Sequence, residues 1–254
     1  STSTPFSNGW TITRKVFPKC GNTGIINGIP NLRREKKMKN KKIHINEQKL
    51  NHQYGYRTVK RLFDVVASTI AVVLLSPVFL LIAICIKVDD PNGPVFYSQT
   101  RVGKDGRQFK MFKFRSMVTN ADELLAKLKA QNEIDGAMFK MKNDPRITKV
   151  GRVIRKYSLD ELPQLINVIG GSMSIVGPRP PLVSEVAEYT AYDKQRLMVK
   201  PGATGMWQVG GRNDVDFAEM VELDLTYIQE RSIWLDLKIM FETVKVMIVP
   251  NGAY

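Results

Sequence analysis

"VASTIAVVLLSPVFLLIAICIK", residues 66–87, is apolar enough for a membrane helix yet carries Ser76 and Pro77 in its middle. With its flanks the apolar segment runs from Leu62 to Ile86, interrupted only by Asp64, Ser68, Thr69, Ser76 and Pro77. As one helix it would measure about 37 Å, enough for a hydrocarbon core of roughly 30 Å. Pro77 removes an amide donor and collides with the preceding turn, a defect of ~3 kcal/mol in an ordinary helix interior. Two readings follow. Either the helix spans with a kink, its freed carbonyl satisfied by a group such as the Ser76 hydroxyl, or it enters the bilayer, bends and leaves on the same side. Flanking charge favours the second. Lys60 and Arg61 precede the segment, and Lys87, Arg101, Lys104, Arg107, Lys110 and Lys113 follow it. Positive flanks stay on the cytoplasmic side, and a single crossing would put one of these outside.

The net charge of +14 on 254 residues is unevenly spread. Residues 1–61 hold fourteen Lys and Arg against Glu35 and Glu47, whereas the rest holds twenty-four against twenty-two acids. Clustered lysines attract anionic lipid or nucleic acid. Their place just before an apolar segment favours lipid, at roughly 1 kcal/mol per charge; a solvated tail without a partner is the plain alternative. The only cysteines, Cys20 and Cys85, form no CxxC or zinc pattern and fit a reducing compartment. Both histidines, His44 and His52, lie in the leader, which excludes histidine catalysis in the body.

The pattern divides the chain into a basic, flexible leader (1–57), a helix-break-helix hairpin (58–88) and a catalytic domain (89–254). Runs around "VFYSQ" and "QFKMFKF" predict a hairpin between turns at Pro91–Gly93 and Lys104–Gly106. Apolar spacing in "NADELLAKLKAQNEI" predicts an amphipathic helix, and further helices are expected at 160–170, 184–199, 216–230 and 233–249. The expected fold is therefore α+β and mostly helical: a re-entrant membrane hairpin attached to a compact cytosolic body with amphipathic interfacial helices.

The densest polar information is "KMKNDPRITKVGRVIRKYSLDELPQLINVIGGSMSIVGPRPPL", residues 140–182. Pro163 is tolerated only in a first helical turn, so a helix should begin near Ser158–Asp160. Ser158 with Glu161 then fits a capping box, and Asp160 alone also fits a cap. The same place suits chemistry. A carboxylate at a helix N-terminus is held ionised by amide donors and the dipole, and that end attracts phosphate. An ionised Asp160 among cations can attack phosphorus and form an acyl phosphate, while Glu161 can hold Mg²⁺ on a diphosphate. Arg146, Arg152, Arg155 and Lys156 precede the acids. Arg179 follows between Pro178 and Pro180, which would pre-position its guanidinium for bidentate phosphate contact, a rigid solvent loop being the bland reading. "KPGATGMWQVGGRND", residues 200–214, adds two glycine turns, Arg212, and Trp207 as a packed ring. There is no GxGxxG and no P-loop.

Taken together, "KRLFDVV…LLSP", "KFRSM", "DPRITKVGRVIRKYSLDELPQLINVIGGSMSIVGPRP" and "VKPGATGMWQVGGRND" resemble the bacterial sugar transferase family, the monotopic phosphoglycosyl transferases, over roughly residues 58–250. The resemblance implies transfer of phosphosugar from a UDP-sugar to undecaprenyl phosphate with release of UMP, the priming step of exopolysaccharide, capsule or glycoconjugate assembly. It implies Asp160 as the nucleophile of a phosphosugar-enzyme intermediate, Glu161 as the Mg²⁺ ligand, and Arg155 and Lys113 beside them. It places Arg179 with Pro178 and Pro180, Arg212, Arg115 and Arg146 around the substrate, and matches Ser76–Pro77 to the family's break. The implied partners are the UDP-sugar, undecaprenyl phosphate, a phospholipid membrane and a second copy of the chain, with no nucleic acid; the implied location is the cytoplasmic face of the bacterial cell membrane. Where larger members carry a multi-helix N-terminal part, this chain carries its basic leader.

Overall fold

The structure, a computed structural model, describes residues 43–121, 123–124, 144–210 and 216–248. The basic stretch 1–42, most of the helix expected at 120–134, and Arg212 lie outside the described residues. The chain starts with the short helix α1 (Glu47–Asn51), then α2 (Tyr54–Leu74) and α3 (Ser76–Asp89). Strands β1 (Phe96–Val102) and β2 (Gln108–Phe114) form the expected antiparallel hairpin, with Phe96 opposite Phe114. Then come α4 (Lys149–Lys156), α5 (Gln164–Ile169), β3 (Ser174–Val176), α6 (Val183–Ala187), β4 (Gly202–Thr204), α7 (Met206–Gly210), α8 (Phe217–Glu230) and α9 (Ile233–Ile248). β3 and β4 pair in parallel. The architecture is α+β and mostly helical.

Helices α2 and α3 meet at a 59° bend at Leu75. Pro77 falls in the first turn of α3, where its missing donor has no helical partner to lose, and the Ser76 hydroxyl donates to the Val73 carbonyl at 2.7 Å. Among the described residues no single helix is long and apolar enough to cross a membrane; only this bent pair has the length and composition for it.

Both outer ends of the pair are fixed to the same body. At the start of α2, Lys60 Nζ lies 2.8 Å from Asp236 of α9, and Arg61 donates to the Val168 and Ile169 carbonyls at 2.6 and 2.8 Å. Asp64, which interrupts the apolar run, is buried and accepts from Ser174 Oγ at 2.7 Å and Ile175 N at 3.2 Å. At the other end, Ile82 and Ile86 of α3 pack with Phe114 and Ile154, and Asp89 accepts from the Val150 amide of α4 at 2.9 Å. Between these anchors, Val66, Ile70, Val73, Leu80, Leu81 and Ile84 stay exposed.

Four expectations are corrected. Residues 43–53, read as leader, fold onto the body: the Ile43 amide donates to Tyr192 Oη and the Ile45 amide to Gln195 Oε1 at 3.1 and 2.7 Å. The helix expected at 184–199 is α6 followed by a separate 3-10 segment, Asp193–Met198. The helix expected at 160–170 is split into a 3-10 turn, Leu159–Glu161, and α5, because Pro163 can only precede a new α-helix. Ser158 does not cap; it sits in the left-handed region (φ 55°) and reverses the chain between α4 and the turn.

Candidate active site

Asp160 and Glu161 sit on the 3-10 turn between α4 and α5. Leu159 and Leu162 on either side of the pair pack against the cluster of Ile82, Ile86, Phe114 and Ile154. The acids are thus held by the core that also anchors α3, and the left-handed Ser158 aims the turn. Such strain in a residue other than glycine persists only where surrounding packing imposes it.

Burial, and then the Glu161 charge, push the Asp160 carboxyl up to about 6, against the pull of Lys113 and Arg155. Lys113 of β2 donates to Glu161 Oε1 at 2.7 Å. Asp160 is therefore a desolvated, electron-rich carboxylate with cations close by. If it acts as a nucleophile, turnover should be flat above pH ~6 and fall about tenfold per pH unit below it, because only the ionised form attacks. A pH–rate profile with no break between pH 5 and 7 would mean that Asp160 does not ionise there during turnover.

Arg179 faces Arg101, which also feels the Glu161 charge. Its loop is not a free solvent loop. Pro178 and Pro180 are buried, the Pro178 carbonyl accepts from the Gly202 amide at 2.8 Å, and the Pro180 carbonyl accepts from Arg101 Nη1 at 3.2 Å. Gly202 allows this approach: a Cβ there would stand 2.1 Å from the Gly177 amide nitrogen. The Arg179 guanidinium lies 5.7 Å over the Trp207 ring, so Trp207 supports an arginine.

Two further anticipated cations each have a carboxylate partner of their own. Arg115, almost fully buried, pairs with Asp90 and donates to its carbonyl at 2.6 Å. Arg146, also buried, chelates Asp144 with contacts of 2.6 to 3.1 Å. Burial alone would raise Asp144, but Arg146 holds its carboxyl below the ordinary value. Lys113 and Arg155 are thus the sequence-expected cations whose charges act on Asp160.

Some contributors carry no sequence signal in isolation. Arg101 of β1 is buried, faces the charges of Arg179, Glu185 and Glu161, and has its guanidinium held well below its ordinary value, chiefly by burial and then by Arg179. Asn167 ties α5 to β2, accepting from the Phe112 amide at 2.9 Å and donating to the Lys110 carbonyl at 2.7 Å. Arg196 and Asp224 form a fully buried pair at 2.6 Å, and Arg196 also donates to Tyr189 Oη at 2.6 Å and the Arg179 carbonyl at 3.5 Å. The pair underlies the Arg179 loop.

A desolvated carboxylate facing lysine and arginine is equipped for group transfer at phosphorus. Among the described residues no three acids or histidines converge as a preformed metal cage. Comparison with known proteins agrees with that class. Residues 55–250 match the family of bacterial sugar transferases, and the chain belongs to it. It is 48% identical over 202 residues to an undecaprenyl-phosphate galactose phosphotransferase of Salmonella typhimurium, covering 78% of this chain and 42% of that protein. It is 45% identical over 203 residues to the galactosyl transferase CpsE of Streptococcus agalactiae, covering 80% of this chain and 45% of that one. Against the exopolysaccharide production protein ExoY of Rhizobium meliloti the identity is 46% over 199 residues, 77% of this chain and 88% of that protein. The chain thus spans less than half the length of the first two relatives and most of the third.

Proposed function

We propose that the chain transfers a sugar phosphate from a UDP-sugar to undecaprenyl phosphate, releasing UMP, at the cytoplasmic face of a bacterial membrane. The observation carrying this reading is Asp160: half-buried on its turn, its carboxyl pushed up by desolvation and by Glu161, and faced by Lys113 and Arg155. The name of the Salmonella relative supplies the lipid carrier.

In the first half-reaction an Asp160 carboxylate oxygen attacks the phosphorus that bears the sugar. The P–O bond to the inner phosphate breaks, its electron pair leaves with UMP, and an aspartyl phosphosugar remains. In the second, a phosphate oxygen of undecaprenyl phosphate attacks that phosphorus, the acyl-phosphate bond breaks, and Asp160 returns as a carboxylate. Neither step needs a proton from a histidine. Lys113 and Arg155 offset the charge gathering at phosphorus, and Arg179, stiffened by Trp207 and its flanking prolines, holds the diphosphate. Magnesium fits this donor set, since it usually takes one or two carboxylates together with substrate phosphates. Glu161, its side chain 41% exposed, would hold it with the diphosphate, and the ion would neutralise the leaving phosphate.

Without acceptor, the enzyme should release one equivalent of UMP per active site and carry the labelled sugar phosphate covalently; a release of UMP strictly dependent on undecaprenyl phosphate would overturn the two-step route. The same assay run over a panel of UDP-sugars identifies the sugar.

Re-entry of α2 and α3 is supported by their outer ends, which bond to one body while Val66, Ile70, Val73, Leu80, Leu81 and Ile84 between them stay exposed. A spanning helix would put those ends in different compartments. The exposed stripe Trp234, Leu237, Phe241 and Val244 on α9 suits a helix lying in the interface plane. Cysteines at His52 and Arg107 should both react with an impermeant reagent from the cytoplasmic side only; labelling from opposite sides would overturn re-entry.

A further inference from the structure

A second basic site lies away from the acids. A cleft of about 650 Å³ opens between the first turns of α2, residues 198–200 ahead of β4, and the end of α8, with Leu50 and Asn51 of α1 on one wall. Arg61, which lines it, caps the C-terminal end of α5, whereas Asp160 and Glu161 precede the N-terminal end of the same helix. Neither the acids nor Lys113, Arg155 or Arg179 line the cleft.

Its charge is unbalanced. Arg57, Lys60, Arg61, Lys104, Lys200 and Arg231 line it, against a single lining carboxylate, Asp64. Asp64 is already bonded to Ser174 and Ile175. Asp236, behind the wall, is shared by Lys60 and the hydroxyls of Tyr56 and Tyr227. Arg61 and Lys200 converge on Gly171: a Cβ there would lie 3.2 Å from Arg61 Nη2 and 3.6 Å from Lys200 Nζ. Among the described residues no carboxylate forms an ion pair with Lys200, Arg61 or Arg57. Burial, then Arg61, lower the Lys200 ammonium, and the Asp64 charge offsets them only in part.

The cleft is also amphiphilic. Leu62 and Val65 line it, and Leu62 begins the exposed row Leu62, Val66, Ile70 and Val73 along α2. Cations therefore give way to apolar surface along one helix face, at the level where a headgroup passes into acyl chain. We infer that this cleft binds one anionic phospholipid, its phosphate between Arg57, Arg61 and Lys200 and an acyl chain along Leu62, Val66 and Ile70. The inference rests on the membrane reading of α2 and α3. The catalytic acids take no part in it.

Native mass spectrometry of the detergent-solubilised full chain, exchanged with phosphatidylglycerol or phosphatidylcholine, tests it. The wild type should retain one phosphatidylglycerol and no phosphatidylcholine. The Arg57→Gln/Lys200→Gln variant, checked for an unchanged Tm, should retain at least tenfold less, and Leu62→Gln alone should also weaken retention. Equal retention of both lipids, or wild-type retention in the double variant, would overturn the site. So would release of the lipid by millimolar inorganic pyrophosphate, which would assign the cations to a soluble phosphate. Asp160→Asn should retain the lipid as the wild type does, so a failed catalytic mechanism and a failed lipid site give different results.

Discussion

In the Asp160→Asn variant, covalent labelling and UMP release from UDP-sugar should fall by at least ~10⁴-fold, as for loss of other catalytic nucleophiles, while Tm rises. Both effects have one origin. Burial and the neighbouring Glu161 raise the Asp160 carboxyl from 3.8 to about 6, so the fold holds the proton more tightly than the unfolded chain does. The stability this contributes is present at low pH and is lost as pH rises from about 4 through about 6. At neutral pH the ionised group therefore costs stability, on the order of 1–3 kcal/mol, which the neutral amide removes without a change of shape. An unchanged Tm would mean that the ionised carboxylate is not destabilising in its site, and a lower Tm that its loss acts partly through structure. Retained turnover would end its candidacy as nucleophile.

Truncation of Arg196 to alanine should cost about 3–5 kcal/mol, because it leaves the Asp224 carboxylate buried without its cation. Asp224 is fully buried, and burial already pushes its carboxyl upward against the pull of Arg196. The same substitution frees the Arg179 carbonyl and Tyr189 hydroxyl that Arg196 holds, so turnover should also drop at temperatures where the variant is still folded. Replacing both partners, Arg196→Met with Asp224→Leu, should recover most of the stability, since no unpaired charge remains. It should not recover turnover if the pair positions the Arg179 loop. Chemical denaturation separates the two effects. A single truncation costing less than ~1 kcal/mol would show that water reaches the pair, and full activity in the double variant would make the pair purely structural.

The places where sequence and structure part follow a physical pattern. The β1–β2 hairpin was legible because alternation and turn residues are local signals. The break at Ser76–Pro77 was legible because proline acts on its own helix. The capping box at Ser158–Glu161 matched a local rule that tertiary packing overrides: the turn is fixed by Leu159 and Leu162 in a core formed by α3, β2 and α4. Arg115 and Arg146 look in sequence like any other cation of the motifs. Only folding assigns them to Asp90 and Asp144 and leaves Lys113 and Arg155 with the acids. Arg101, Arg196 and Asp224 carry no local signal of their roles, since each acts on a segment far away in the chain.

The sequence by itself determined the break in the apolar run, the Asp160–Glu161 pair, the Arg179 loop and the family. These rest on local chemistry: a proline without a donor, adjacent acids, an arginine between prolines. Tertiary structure decided which cations face the acids, how far Asp160 is desolvated, and that both ends of the broken helix pair are fixed to one body. Those depend on burial and on contacts more than a hundred residues apart, such as Asp64 with Ser174 and Lys60 with Asp236.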